Sequence, residues 1–350
     1  MTGHPMAKLP PLERMALALA IGAAGGGTFF ALGLPLPWML GSMFASMAAA
    51  VGRAPVTSPG RLRPVVVAVI GVMLGARFTP EVLAQAGAWV GTLAILSVYI
   101  ILVSAIVVPF YRFAGRLDWT TAYFAGMPGG LTEMIEFGEA RGATVPPIIL
   151  AHSLRIVMTI ALVAFWFRVV MGHEVGAAPG PAAGSLTLAD AGLLALAALI
   201  GAWLGRVLRF PAPAFLGPML VSALLHLAGL TEAAPPAVLV SAAQVALGAV
   251  LGCRFQGIAP GTLLRAGWLA LGSTVLTLAL AALAGLAMRA VAGTQIEQAI
   301  LAMAPGGLTE MGLIALAIHA DVAFVALHHV ARILLVLLLA PLAFRWVERR

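Results

Sequence analysis

The heptapeptide Pro-Gly-Gly-Leu-Thr-Glu-Met occurs twice in this chain, at 128–134 and at 305–311. The two copies are 177 positions apart in a chain of 350 residues, and long apolar segments flank both of them. A helix breaker and a carboxylate repeated at about half the chain length predict two copies of one folding unit. We assign the first membrane repeat to residues 1–178 and the second to 179–350, within one integrated membrane domain.

The repeat extends well beyond this motif. Residues 37–41 correspond to 213–217, and residues 152–156 correspond to 329–333, at offsets of 176 or 177. A stretch rich in Gly, Ala and Pro at 172–184 is the predicted linker between the repeats.

The composition places the chain in a membrane. Hydrophobic residues make up 62% of it, charged residues only 9%, and the mean hydropathy is +1.05. Because backbone groups in lipid must be hydrogen-bonded internally, long Ala, Leu and Val runs without alternation favour helices. We therefore predict an all-α integral membrane protein that crosses the lipid bilayer several times. We place it in a bacterial cytoplasmic (inner) membrane, with the bacterial host inferred from the excess of Arg over Lys.

Hydropathy over a window of about 20 residues predicts ten crossings, five in each repeat. The second and third segments of the first repeat are short, so we expect them to be tilted, interfacial or buried in protein. The Pro-Gly-Gly region lies between the fourth and fifth segments of each repeat. The segments are Leu12–Leu32, Pro37–Val51, Pro64–Arg77, Ala88–Tyr111 and Val145–Phe167, then Leu186–Leu204, Pro213–Leu227, Ala237–Cys253, Gly267–Met288 and Val322–Phe344.

The arginines at segment ends predict the orientation of the repeats. By the positive-inside rule they place corresponding loops of the two repeats on opposite sides and both termini in the cytoplasm. This pattern requires an odd number of crossings per repeat, so the repeats are inverted and each Pro-Gly-Gly region is a re-entrant hairpin. The alternative is a broken helix that crosses fully, which gives six segments per repeat and parallel repeats.

The motif itself is the predicted site for a substrate or an ion. Pro removes an amide donor and Gly adds backbone freedom, so one helix should stop and another begin inside the membrane. The first amides of the second helix lack partners and carry the positive end of its dipole. The candidate positions are Gly129, Gly130, Thr132 and Glu133 in the first copy and Gly306, Gly307, Thr309 and Glu310 in the second.

Two carboxylates in membrane segments need an explanation, since each costs about 2.5–3.5 kcal/mol on insertion scales. Glu133 and Glu310 are predicted either to bind a cation or proton, or to cap their own helices or pair with Arg155 or Arg332. His152 and His329 each precede an arginine by three residues and share its helix face. Either the arginine holds a substrate carboxylate while the histidine relays protons, or the arginine snorkels and the histidine donates to a backbone carbonyl.

Several other classes of protein are disfavoured. The formal net charge of +7 comes from scattered arginines rather than a basic run, so we expect no nucleic-acid partner. A single cysteine, Cys253, excludes an internal disulfide. The histidines form no ligand cluster typical of a metal site, and no nucleophile–base pair appears. We therefore expect no metal, no cofactor and no enzymatic activity.

On its two Pro-Gly-Gly-Leu-Thr-Glu-Met copies, the chain resembles the AbrB membrane family, whose members carry this duplicated signature. The resemblance covers nearly the whole chain, and the family is distinct from the soluble DNA-binding regulator of the same name. It implies kinship with transporters and antiporters built from inverted repeats with broken helices. Members have also been labelled ammonia monooxygenases or regulators of gene expression. A copper monooxygenase would need clustered histidines, and a DNA binder a soluble basic module.

These observations predict a secondary transporter or ion-coupled exporter of a small solute, with a proton or cation as a coupling ion. It would work by alternating access around two crossed broken helices. The alternative is a membrane sensor or regulator that affects gene expression indirectly, although the loops are too short to supply an output domain. A homodimer is expected by analogy with transporters of this architecture.

Overall fold

A computed structural model describes residues 10–80, 87, 89–173 and 186–347 of the chain. The predicted boundary between the repeats, most of the predicted linker and both chain ends fall outside these residues. Every regular element in the described part is helical, which confirms the predicted all-α class. The helices are α1 (Pro11–Ala31), α2 (Ser42–Val51, preceded by a π-helical turn Pro37–Gly41), α3 (Arg63–Gly75), α4 (Trp89–Phe113), α5 (Trp119–Gly126), α6 (Leu131–Glu139), α7 (Val145–Phe165), α8 (Leu188–Val207), α9 (Pro213–Leu227), α10 (Ala237–Gly252), α11 (Pro260–Ala292), α12 (Ile296–Met303), α13 (Leu308–Ala317) and α14 (Val322–Val347).

Within the described residues, seven helices are long and apolar enough to cross a membrane: α1, α4, α7, α8, α10, α11 and α14. The helix over Pro37–Val51 and helices α9 and α13 are apolar but shorter. These helices are those of a multi-pass membrane protein. The total of ten crossings and the inverted orientation of the repeats stay predictions.

Helix α11 is longer than its predicted segment, Gly267–Met288. It begins at Pro260, whose fixed φ and missing N–H suit the first helical position. It ends before Gly293, which has a φ of +65°, in the left-handed region typical of the residue after a helix. Arg265 and Arg289, near its two ends, lower the local hydropathy. The predicted segment therefore leaves out these outer turns.

One compact unit contains helices α1–α3 and α8–α10, from both sequence repeats. Its helices pack closely through glycines. A methyl group at Gly71 or Gly75 of α3 would overlap backbone atoms of α9, and one at Gly248 or Gly252 of α10 would overlap backbone atoms of the Pro37–Val51 helix. The third helix of each repeat therefore packs against the second helix of the other.

We expect Gly201→Val in α8 to destabilise this unit strongly. A side chain there would overlap the backbone of Pro218, and overpacking costs about 1–3 kcal/mol even where side chains can yield. Gly192→Val in the same helix is the matched control, because no described atom lies within 4 Å of its added Cβ. The measurement is the melting temperature and monodisperse fraction of the purified protein in detergent. Equal losses in the two variants would contradict the packing argument.

The second compact unit contains α4, α5, α6, α12 and α14 in full. It also contains most of α7, most of α13, and α11 from Gly261. Both copies of the Pro-Gly-Gly motif lie in this unit. Each unit therefore combines helices from the two repeats, and neither unit corresponds to a single repeat.

Candidate functional site

The Pro-Gly-Gly of the first motif separates helices α5 and α6 in the second unit. Helix α5 is capped at its start by the Asp118 carboxylate, which accepts a hydrogen bond from the Thr121 N–H at 2.9 Å. Burial alone would raise the pKa of Asp118, but hydrogen bonds from Thr121 and from the backbone of Asp118 and Thr120 outweigh it and lower the pKa below its ordinary value. The helix ends at Gly126, because Met127 is extended (φ −60°, ψ 137°) as a residue before proline prefers. Helix α6 begins after Gly130, which is also extended.

The second motif repeats this interruption. Helix α12 ends at Met303, and Ala304, the residue before Pro305, is extended with φ −53° and ψ 139°. Helix α13 begins at Leu308, the equivalent of Leu131 in the first copy. The predicted broken helices are therefore present in both repeats.

In the structure the motif glycines make room for neighbouring side chains, whereas the sequence analysis predicts that they add backbone freedom. Gly130 has a φ of −72°, which any residue can adopt, and none of the four motif glycines has a positive φ. A side chain at Gly130 would instead overlap the Glu133 carboxylate, and one at Gly307 would overlap the Glu310 carboxylate. The first glycine of each motif makes room in the same way for the motif methionine, as Gly129 does for Met134, whose Cε would be 2.9 Å from an added Cβ.

This packing fixes where the glutamates lie. Each is the third residue of its helix, and its carboxylate folds back over the glycine before the first turn. That is the positive end of the helix dipole, where a carboxylate is stabilised. The capping role of each glutamate and its alternative, binding of a cation or proton, both stay predictions.

The two copies differ in exposure. Thr309 and Glu310 are buried, with 8% and 6% of their surfaces exposed. In the first copy, Thr132 is exposed and Glu133 is half-buried. The two chemically identical motifs therefore occupy different environments.

A histidine and an arginine from α7 bind the carbonyls at the first break. His152 Nε2 lies 2.8 Å from Phe124 O, and Arg155 donates from Nη1 to Met127 O at 3.0 Å. Arg155 Nη2 lies 3.5 Å from Gly129 O and 3.0 Å from His152 Nδ1. Helix α5 therefore ends with its free carbonyls bonded to side chains, at the negative end of its dipole.

The second break has the same arrangement, contributed by α14. His329 Nε2 lies 2.9 Å from Leu301 O, and Arg332 donates to the carbonyls of Ala304 and Gly306. Arg332 Nη2 lies 3.2 Å from His329 Nδ1. Each bond joins positions 177 residues away from those of the first break. The four side chains are buried, so the arginines do not snorkel to an interface.

The bond pattern determines the protonation of both histidines. A carbonyl oxygen only accepts, so Nε2 carries the proton in His152 and in His329. Nδ1 must then accept from the arginine, which requires a neutral ring. In this arrangement the histidines orient the arginines, and the proton-relay alternative would require both arginine–histidine bonds to break.

Three tyrosines, the only ones in the chain, add bonds that the sequence analysis missed. Tyr99 donates to Met303 O at 2.8 Å, and Tyr123 donates to Ala340 O at 2.7 Å. The Tyr111 hydroxyl lies 3.0 Å from Ser273 Oγ. All three lie in the first repeat and bond to the second. A phenol inside an apolar segment needs a buried partner, and that signal was available in the sequence.

The arginines concentrate positive charge at this site. Arg155 and Arg332 are both buried, and each places a guanidinium against the carbonyls of one break. Among the described residues, their hydrogen bonds go to carbonyls and histidines rather than to Glu133 or Glu310. The Nε of each guanidinium is buried with no described hydrogen-bond partner.

Apolar helices broken twice at Pro-Gly-Gly, with ionisable side chains buried at both breaks, define a multi-pass membrane protein with discontinuous helices. Over residues 38–348 the chain matches the profile of the family described as "Transition state regulatory protein AbrB", and it belongs to this AbrB family. The match confirms the predicted resemblance.

Two curated relatives are similar over nearly their whole lengths. The "Uncharacterized protein YhjN" of Bacillus subtilis (strain 168) is 27% identical over 93% of this chain and 91% of its own. The "Putative regulator AbrB" of Escherichia coli (strain K12) is 27% identical over 95% of this chain and 94% of its own. The aligned regions therefore span the positions of both motif copies in this chain.

Proposed function

We propose that this protein is a secondary transporter or ion-coupled exporter of a small solute in the bacterial cytoplasmic membrane. One observation carries the proposal: two broken helices, fixed by the same histidine–arginine bonds, each place a carboxylate at a helix N-terminus within apolar sequence. Transporters use such half-helix ends to bind solutes and coupling ions near the membrane centre. Glu133 and Glu310 are the groups that would bind the coupling proton or cation.

The unequal exposure of the two motifs supports alternating access. A transporter in one end state has one face of its site open and the other closed. The exposed Thr132 and half-buried Glu133 would belong to the open face, and the buried Thr309 and Glu310 to the closed one. In this proposal the repeats are inverted, with ten crossings, two re-entrant hairpins and both termini in the cytoplasm. The protein could act as a homodimer.

Transport into proteoliposomes tests the proposal. With a panel of labelled solutes and an imposed pH gradient, we expect gradient-dependent uptake by the wild-type protein. Glu133→Gln and Glu310→Gln should each lower it at least about tenfold, because an amide neither titrates nor carries charge. Glu139→Gln is the control, since Glu139 is exposed at the end of the same helix as Glu133.

The second candidate function is a membrane-embedded regulator, favoured by the name of the Escherichia coli relative. A regulator would act through a protein partner rather than through solute movement. Equal solute uptake by the wild-type and both glutamate variants, together with a regulatory protein recovered by pull-down, would replace the transporter proposal with this one.

A further inference from the structure

A cavity of about 550 Å³ opens in the second unit, and none of the residues that line it belongs to either motif. Its walls come from the end of α4 and the turn after it, the first turns of α7 and the first turns of α11. The volume lies within the range of about 300–1,000 Å³ found for small-molecule sites. It is therefore large enough for an organic solute.

The lining of this cavity is basic. Arg116 and Arg265 are exposed side chains on its walls, and none of the described residues that line it is acidic. Gly261 and Thr262 belong to the first turn of α11, and Pro147 to the first turn of α7. The first amides of a helix lack intrahelical partners and carry a partial positive charge. Two arginines and the N-terminus of α11 thus face the same space, whereas Pro146 and Pro147 have no N–H and leave α7 few free amides there.

The cavity also reaches the interior of the unit. Tyr111 and Ala151 line it, and they are only 2% and 5% exposed. The Tyr111 hydroxyl lies 3.0 Å from Ser273 Oγ. Ala151 immediately precedes His152, which helps to orient Arg155. The cavity therefore extends from the exposed arginines at its mouth to buried residues of the unit.

We propose that this cavity binds a small organic anion with a carboxylate or phosphate group, and that this anion is the transported solute. The second part rests on the proposed transport function. Arg116 and Arg265 attract the anion at the cavity mouth, where charge of one sign raises the local concentration of a ligand. The guanidinium groups then form charge-assisted hydrogen bonds with its oxygens. Both arginines line this one cavity.

A phospholipid headgroup also carries a phosphate group, so the experiment distinguishes binding of a soluble anion from binding of a lipid. The full-length protein is purified in a neutral detergent, and binding of succinate, acetate and inorganic phosphate is measured by calorimetry. Uncharged succinamide tests the need for charge. Nanodiscs with and without phosphatidylglycerol test the headgroup.

We expect saturable binding of at least one soluble anion and none of succinamide. Arg116→Gln and Arg265→Gln should each weaken that binding about tenfold, the loss expected for one charge-assisted hydrogen bond. Arg289→Gln is the matched control, because Arg289 is exposed at the other end of α11 and does not line the cavity. It should bind as the wild type does.

Three results would overturn the inference: no saturable binding of any soluble anion, equal affinities in all variants, or a requirement for phosphatidylglycerol instead of a soluble anion. Binding is measured without a gradient, so it does not depend on transport. Loss of anion binding with intact gradient-driven uptake would reject only this site. Anion binding without uptake of any solute would reject the transport function and retain the site.

Discussion

Arg332→Met is expected to destabilise the second unit by about 2–6 kcal/mol and to lower the yield of folded protein sharply. The carbonyls of Ala304 and Gly306 each lose a donor, and an unpaired buried polar group costs about 1–3 kcal/mol. Removing a buried charge offsets part of this loss. We therefore expect a value nearer the lower end of the range. The measurement is the melting temperature in detergent, with the yield of monodisperse protein.

The equivalent substitution in the first repeat is an internal comparison. Arg155→Met should cost less, because the bond from Arg155 to Gly129 O is 3.5 Å long whereas Arg332 lies 3.0 Å from Gly306 O. Arg332→Lys keeps the charge but loses the planar fork that reaches two carbonyls, so it should be intermediate. Exposed Arg289 provides the control substitution, Arg289→Met. An Arg332→Met protein as stable as the control would show that these bonds contribute little.

The helices could be predicted from the sequence because hydropathy and helix breakers act locally. The bounds of the Pro37–Val51 and Pro213–Leu227 helices agree at both ends with the predicted segments. Helix α11 was underestimated, because arginines near helix ends reduce hydropathy without ending the helix. The partition into two units was not predicted, since it depends on glycine contacts between helices far apart in sequence.

The site was predicted in part. Repetition alone identified the motif, and the shared spacing of histidine and arginine placed both side chains on one face. The partners of Arg155 and Arg332 are backbone carbonyls, which have no sequence signature. The role of the glycines could not be inferred either, because a glycine needed for space and one needed for a positive φ look the same in a sequence. At Gly130, only the position of the Glu133 carboxylate in the structure shows that the glycine is needed for space.

The unequal environments of the two motifs lead to a large expected difference in chemical accessibility. In a Cys253→Ser background, which removes the one native thiol, Thr132→Cys and Thr309→Cys place similar thiols at equivalent positions. A water-soluble maleimide should modify the cysteine at 132 at least about tenfold faster than the cysteine at 309, because Thr132 is exposed and Thr309 is only 8% exposed. The rate is followed by mass spectrometry on protein in detergent.

The same pair of variants tests whether this inequality belongs to a transport cycle. If the two motifs alternate, a solute or ion concentration that favours the opposite end state must slow modification at 132 and accelerate it at 309, since one population gains what the other loses. A rigid asymmetry would leave both rates unchanged under every condition, and equal rates at the start would contradict the structure itself. Reciprocal changes in the two rates would link the carboxylates at the two breaks to a single conformational equilibrium.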